Sequence, residues 1–241
     1  MNSTTEPPLD RGSFEQALLK AIAPWPLEGT RFYRALTTRR CPLSLLQRYA
    51  RSTYLSATLF CATIAELVDK APDREARLTL LENMLEEEGI HLNPRRGLIV
   101  RPEARHPALA LRFLRATGVE DGTEEDAFGN AMHATGPGRA MLAEGRWLEA
   151  VAFLLIGQEL KFATAAEPLL KALGQQGFSD RDLAFFAVHI EADAEHGQQA
   201  LDLVLDRAVT AQAQQACIAA AETGAHHWFD SHGSAADRQS R

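Results

Sequence analysis

The sequence is short of cysteine, tyrosine, long apolar runs and basic charge, and each shortage removes a class of function. Only three cysteines, Cys41, Cys61 and Cys217, occur in 241 residues. They form no CxxC pair and no even framework, so reduced, buried thiols in a cytoplasmic protein are expected. The longest apolar run, Ala150 to Gly157, falls far short of the roughly 20 residues a membrane-spanning helix needs. The opening MNSTTEPPLDRG is polar and carries no apolar core of a secretory signal. A net charge of −7 leaves no basic footprint for nucleic acid. No nucleophile elbow, P-loop or dinucleotide fingerprint occurs either.

What the sequence does contain is helical periodicity. Ser13 followed by Gln16 is a capping-box start for SFEQALLKAI. Pro42 opens a long apolar helix to about Lys70, and Pro72-Asp73 opens a second that stops at Gly89. Residues 90–105, with Pro94, Gly97 and Pro102, are expected to be irregular, and His106 to Thr117 a short helix. Thr123 with Asp126 starts another helix, interrupted or ended at Gly136-Pro137-Gly138. Trp147 to Leu173 forms a long helix; Ser179 with Asp182 caps the next, to about Leu205; a last one covers roughly Val209 to Phe229. The expected architecture is an all-α bundle of about seven or eight helices. Residues 13–230 form its single domain, between a disordered start (1–12) and a disordered tail (231–241).

Three places carry chemistry. An α-helix turns about 100° per residue, so His189, Asp193 and His196 fall within roughly a 60° arc. Phe186, Ala200 and Val204 continue that stripe, whereas Glu191, Glu195 and Gln198 lie elsewhere on the wheel. Two imidazoles and a carboxylate on an inward face are costly to desolvate unless a metal binds them, and iron, manganese or zinc suits that donor set. Glu159 is the second place, on the stripe Ala152, Leu155, Glu159, Phe162, Ala166, with Lys161 facing away from it. The third is LLENMLEEEGIH, where periodicity carries either Glu87 or Glu88 inward and leaves His91 and His106 both open as partners.

These features resemble the haem-oxygenase-like diiron oxidases, whose seven-helix bundle is shared with the TenA thiaminases and the PqqC cofactor oxidase. The likeness runs from about Arg31 to Val204, and rests most on His-x3-Asp-x2-His at 189–196, Glu159 and the helix end ENMLEEEG. HPALALRFLRATGV is also similar to the family's stretch after its first histidine ligand. The resemblance implies that Glu87 and His106 join Glu159, His189, Asp193 and His196 in holding two iron ions used with dioxygen. Segment 90–105 is longer than the family's usual spacing, which keeps His91 a rival ligand. It also makes Arg95, Arg96 and Arg101 candidates for meeting a substrate carboxylate.

One branch of the family, the self-sacrificing p-aminobenzoate synthases, uses its own tyrosine as substrate and a lysine as amine donor. Arg31-Phe32-Tyr33 resembles the segment bearing that tyrosine, and Tyr49 and Tyr54 lie in the matching region; Tyr33 and Tyr54 are the catalytic candidates. The donor position, ten residues after Glu159, is Leu169, with Lys171 out of register. The expectation is therefore a dioxygen-dependent non-haem diiron oxidase acting on a small amino-acid-derived or carboxylate metabolite. Its alternatives are the self-sacrificing synthase and a metal-free TenA- or PqqC-type binding protein. An external electron donor and a homodimeric assembly are both compatible with this reading. His133, His226, His227 and His232 are expected to stand outside the site.

Overall fold

Prolines, glycines and capping side chains divide this chain into helices. The computed structural model describes residues 7–38, 41–93, 95–120 and 125–234, with backbone alone at 125–130, 191 and 232–234. Helix α1 spans Arg11–Ile22 and α2 Arg31–Thr37. The long α3 spans Leu43–Asp69 and α4 Arg74–Glu87. After a short hairpin come α5 (His106–Ala116) and α6 (Glu125–Ala143). Helix α7 (Trp147–Val151) passes through a π-helical stretch, Ala152–Glu159, into α8 (Leu160–Gly174). The chain ends its described part with α9 (Ala184–Arg207) and α10 (Ala211–Ser234). The molecule is an all-α bundle, and among the described residues no helix is long and apolar enough to cross a membrane.

Several boundaries differ from the sequence expectation, each for a physical reason. Helix α1 starts at Arg11, inside the segment expected to be disordered, because the Asp10 carboxylate accepts from the Ser13 amide at 3.0 Å. Leu9 exchanges two hydrogen bonds with the Gln214 side chain, at 2.7 and 3.0 Å. Helix α10 carries on to Ser234, past the expected end at 230. The expected start at Thr123 and Asp126, the position of Glu191's side chain and that of His232 lie outside the described parts. Ser179 and Asp182 close a turn on each other at 2.6 Å, and α9 begins only at Ala184.

Segment 90–105 is not irregular throughout. Strands β1 (Ile90–Asn93) and β2 (Gly97–Val100) pair antiparallel, with Ile90 opposite Val100 and Leu92 opposite Leu98. Both strands leave apolar side chains in solvent, so no alternation of burial was there to read. Helix α6 likewise runs straight through Pro137. A proline cannot bond the carbonyl four residues back, here that of His133. That carbonyl accepts instead from the His227 ring Nδ1 on α10, at 2.8 Å.

Two apolar clusters form the core, and α3, the π–α8 run, α9 and α10 serve both. One gathers Phe14, Leu18, Ile64, Leu67, Leu80, residues 150–156, Val204 and Ala221; the other gathers Phe32, Tyr49, Phe113, Phe162, Leu169 and Phe186. Along α9 the second cluster ends at Phe186 and the first begins at Ala200; along the π stretch and α8 the change falls between Ile156 and Phe162. His189, Asp193, His196 and Glu159 fill those gaps, so the polar residues sit in a seam between two dry clusters.

Candidate metal centre

Helix α9 supplies three of the seam's side chains on one stripe, as the periodicity requires: His189 is 6%, Asp193 0% and His196 2% exposed. The His189 Nδ1–H donates to the Phe185 carbonyl one turn back, at 2.5 Å, which turns Nε2 inward, 4.0 Å from the nearer Asp193 oxygen. The His196 Nε2 lies 3.0 Å from Glu86 and its Nδ1 3.4 Å from Glu159. An outer carboxylate of this kind fixes which ring nitrogen faces a metal.

Glu159 reaches the seam at the end of the π-helical stretch. A wider turn of this sort is common where a helix must present a functional side chain. Close contact with α10 sets its position: a Cβ on Gly157 would stand 2.6 Å from the Ala221 carbonyl oxygen, and one on Gly224 would strike the Phe153 carbonyl. From α4, the Asn83 Nδ2 donates toward both Glu159 oxygens, at 3.1 and 3.3 Å.

Glu87 and His106 are far apart in sequence, and the hairpin returns the chain so that they meet. Gly89 has φ of 67°, in the left-handed region, and its carbonyl accepts from the Arg101 amide at 2.8 Å. Arg105 then pairs with Glu88 at 2.7 Å. Just inside this clasp, Glu87 Oε1 and His106 Nδ1 stand 2.8 Å apart. The Cys61 thiol donates to the other Glu87 oxygen at 3.6 Å.

The result is two buried triads, Glu87–His106–His189 and Glu159–Asp193–His196, each with one ligand atom per residue within 4.8 Å of the others. The six residues inferred from the sequence and the resemblance are therefore brought together in space. His91 is exposed on β1, Glu88 is paired with Arg105, and neither belongs to a triad.

Crowding three carboxylates and three imidazoles strains their protonation. Burial raises Asp193 well above the ordinary carboxylate range, and the charges of Glu159 and Glu87 add to it. Burial also raises Glu159, in spite of His196 and Asn83. Burial and the neighbouring His106 press His189 down to about 3, which leaves a neutral imidazole. For His196 burial works downward, but Glu159 and Glu86 overcome it and push the ring up to about 11. Burial opposes charge on Glu87 and His106 too, yet their mutual attraction wins and holds Glu87 below and His106 above its usual value.

The donor set fits divalent cations. Both Asp193 oxygens, the His106 Nδ1 and the His196 Nδ1 are buried with no hydrogen-bond partner, although carboxylates stand close by. These atoms point at shared space rather than donating to one another. Neutral imidazole with carboxylate is the set that suits iron, manganese or zinc.

A cavity of about 90 Å³ opens onto the seam, lined by the candidate ligands Glu87, Glu159, His189 and Asp193 and by Phe60, Phe162, Phe185, Trp228 and several hydroxyl side chains. Among the described residues, Tyr33 and Tyr54 do not line it: both are half-buried against the second apolar cluster. Tyr49 stacks on Phe32 at 3.8 Å, and its burial raises the phenol. Lys161 is buried, with its ammonium lowered by desolvation, and is likewise outside the described lining. Arg95, Arg96 and Arg101 are exposed, and none of them lines the cavity. Asn83, Glu86 and Cys61 were not singled out by sequence. Asn83 lies one turn before Glu87 on the same face, which was the only local signal.

Residues 44–229 match the family model described as iron-containing redox enzyme. Two curated relatives carry the name 4-aminobenzoate synthase. The one from Chlamydia muridarum (strain MoPn / Nigg) is 28% identical over 184 residues, covering 72% of this chain and 70% of its own. The one from Chlamydia trachomatis serovar D is 29% identical over 170 residues, covering 66% and 65%. Among solved structures, a TenA homolog from Pseudomonas syringae pv. tomato superposes with a TM-score of 0.67 at 13% identity, covering 90% of this chain and 88% of that one. A domain with a heme oxygenase-like fold from Shewanella denitrificans gives 0.63 at 16% identity, covering 94% and 92%. At those identities the structural likeness speaks for the fold.

Proposed function

The chain belongs to the family of iron-containing redox enzymes, and from that premise we propose that it is a dioxygen-dependent diiron oxidase of a small organic metabolite. Glu87, His106 and His189 would hold one iron, and Glu159, Asp193 and His196 the other. When bound there, the iron pair would supply dioxygen activation, with an external donor providing electrons. The observation that carries this reading is Asp193: a fully buried carboxylate with no hydrogen-bond donor, in one group of ligand atoms and 4.0 Å from His189 of the other.

The protein's own residues have separable tasks. Burial keeps His189 neutral and its bond to the Phe185 carbonyl presents Nε2, while Glu86 holds His196 with Nδ1 presented. Asn83 steadies Glu159, and Cys61 occupies one oxygen of Glu87 so that the other faces the site. Phe60, Phe162, Phe185 and Trp228 keep water from the reacting end of the substrate. Free thiols at Cys41, Cys61 and Cys217 agree with a reducing cytoplasm.

The test is to load the protein with ferrous iron without oxygen, remove unbound metal, and count iron before following oxygen uptake. About two irons per chain and iron-dependent oxygen uptake are expected, both lost in His189→Ala and Glu159→Ala. A count near zero, or oxygen uptake unchanged in those variants, rules the reading out. It would also leave the metal-free TenA-type alternative standing.

A second reading joins the curated relatives' name, 4-aminobenzoate synthase, to the self-sacrificing branch that the sequence resembles: synthesis of 4-aminobenzoate from the protein's own Tyr33. Leu169 at the expected amine-donor position weighs against it. Intact-mass measurement after one round of oxygen exposure decides: loss of the Tyr33 side chain with one 4-aminobenzoate per chain supports self-sacrifice, and an unchanged mass excludes it.

A further inference from the structure

The cavity beside the triads has two chemically different linings. Phe162 on α8 lies 5.0 Å from the His189 ring, 6.0 Å from Phe185 and 6.2 Å from Trp228, measured between centroids. An aromatic wall therefore runs from a candidate ligand outward. The polar lining is Thr53 and Ser56 on α3, Thr135 on α6, Gln158 in the π stretch and Ser231 on α10.

Most of these polar groups have already committed their protons. Thr53 donates to the Tyr49 carbonyl at 2.9 Å, Thr135 to Ala131 at 3.1 Å and Ser231 to Trp228 at 2.8 Å. The Gln158 amide donates to the Ala134 carbonyl at 2.5 Å. What these groups then offer a ligand is chiefly oxygen lone pairs, beside the Ser56 hydroxyl and the second Gln158 amide N–H. The carboxyl side chains that line the cavity are the ligands Glu87, Glu159 and Asp193, and among its described lining residues there is no lysine or arginine. The arginines expected to meet a substrate carboxylate are exposed instead.

Acceptor oxygens facing aromatic rings suit a group that brings N–H donors, and when charged a cation for the ring faces. A carboxylate would meet lone pairs at Thr53 and Thr135, against donors at Ser56 and Gln158. The volume, about 90 Å³, is smaller than the roughly 150 Å³ dry cavity that admits benzene, so the buried end has on the order of four or five heavy atoms. We propose that the site takes a short-chain primary amine, its N–H groups on the Thr53 and Thr135 oxygens and its alkyl body along the Phe162–Trp228 wall. This assignment rests on the iron-oxidase reading of the same site and narrows its substrate class.

The experiment compares n-butylamine with butanoate, equal in length and opposite in polar end, by ligand-observed saturation-transfer NMR without oxygen. It uses protein loaded with ferrous iron, with iron counted on the same sample, and is repeated on the iron-free protein. The amine is expected to bind at least about tenfold more tightly than butanoate. Thr135→Val and Thr53→Val should each weaken it about three- to tenfold, and Trp228→Leu similarly, with the iron count unchanged. Should Trp228→Leu fail to fold, the two threonine variants still decide. Butanoate binding as tightly as the amine, or an amine affinity unmoved by the variants, overturns the proposal. An iron count near zero instead removes the iron reading, and the amine preference then stands or falls on the iron-free affinities.

Discussion

Asp193 shows at a single residue what a bound cation would relieve. A buried charged group without a partner costs upwards of about 1–3 kcal/mol, and burial accordingly raises Asp193 and Glu159. Raised carboxylates contribute stability that is full below their unfolded values near 4 and is lost as pH rises through the folded values. His189 acts in the opposite sense: its contribution is present above its ordinary 6.5 and is lost as pH falls toward about 3. Asp193→Asn should therefore leave the iron-free melting temperature equal or higher at pH 8 while abolishing the rise that iron produces, checked by calorimetry with and without ferrous iron. Metal uptake must also displace the proton of His196, which is pushed up to about 11, and the raised Asp193, Glu159 and His106 act in the same sense. Protons should therefore be released on iron binding at pH 7, measurable by calorimetry in buffers of different ionisation heat, and iron affinity should climb with pH. At this scale the α9 stripe and Glu159 were legible in the sequence, because burial and helical spacing show on one element. The Glu87–His106 side needed the family resemblance, since its periodicity fitted two stripes equally. Asn83 and Cys61 escaped notice because each acts on a ligand carried by another helix.

At the level of elements, two devices place the ligands. The π stretch delivers Glu159 while touching α10 backbone to backbone at Gly157 and Gly224. Gly157→Ala puts a methyl where there is no room, and overpacking of this kind costs about 1–3 kcal/mol. Urea denaturation of the iron-free protein should show that loss, and the variant should bind iron at Glu159 more weakly; unchanged stability would contradict a tight contact at Gly157. The hairpin is the other device. Its clasp lies at its base, in the Gly89–Arg101 and Glu88–Arg105 pairs, so replacing residues 92–98 by a tight two-residue turn should preserve iron at Glu87, His106 and His189. Loss of that iron would show that the strands themselves are needed. Helix positions were readable from caps and stop signals. The hairpin was not, since four-residue strands with exposed Leu92, Leu98 and Val100 bury no alternating face. Nor was the passage of α6 through Pro137, because the His227 ring that takes up the freed carbonyl comes from the far end of the chain.

For the whole molecule, the two dry clusters are joined through α3, the π–α8 run, α9 and α10, with the polar seam between them. A cation pair bound there would tie both clusters together and stabilise the entire fold. At ligand concentrations one hundredfold above Kd, linkage gives about 2.7 kcal/mol, which for a chain of this size is a rise of roughly 5–10 °C in Tm. A smaller rise confined to one probe of unfolding would place the metal outside the seam. The most direct test is anomalous diffraction at the iron absorption edge from crystals grown with ferrous iron in the absence of oxygen. Two peaks should appear, one among Glu87, His106 and His189 and the other among Glu159, Asp193 and His196. A single peak, or peaks away from these six side chains, would contradict the diiron centre.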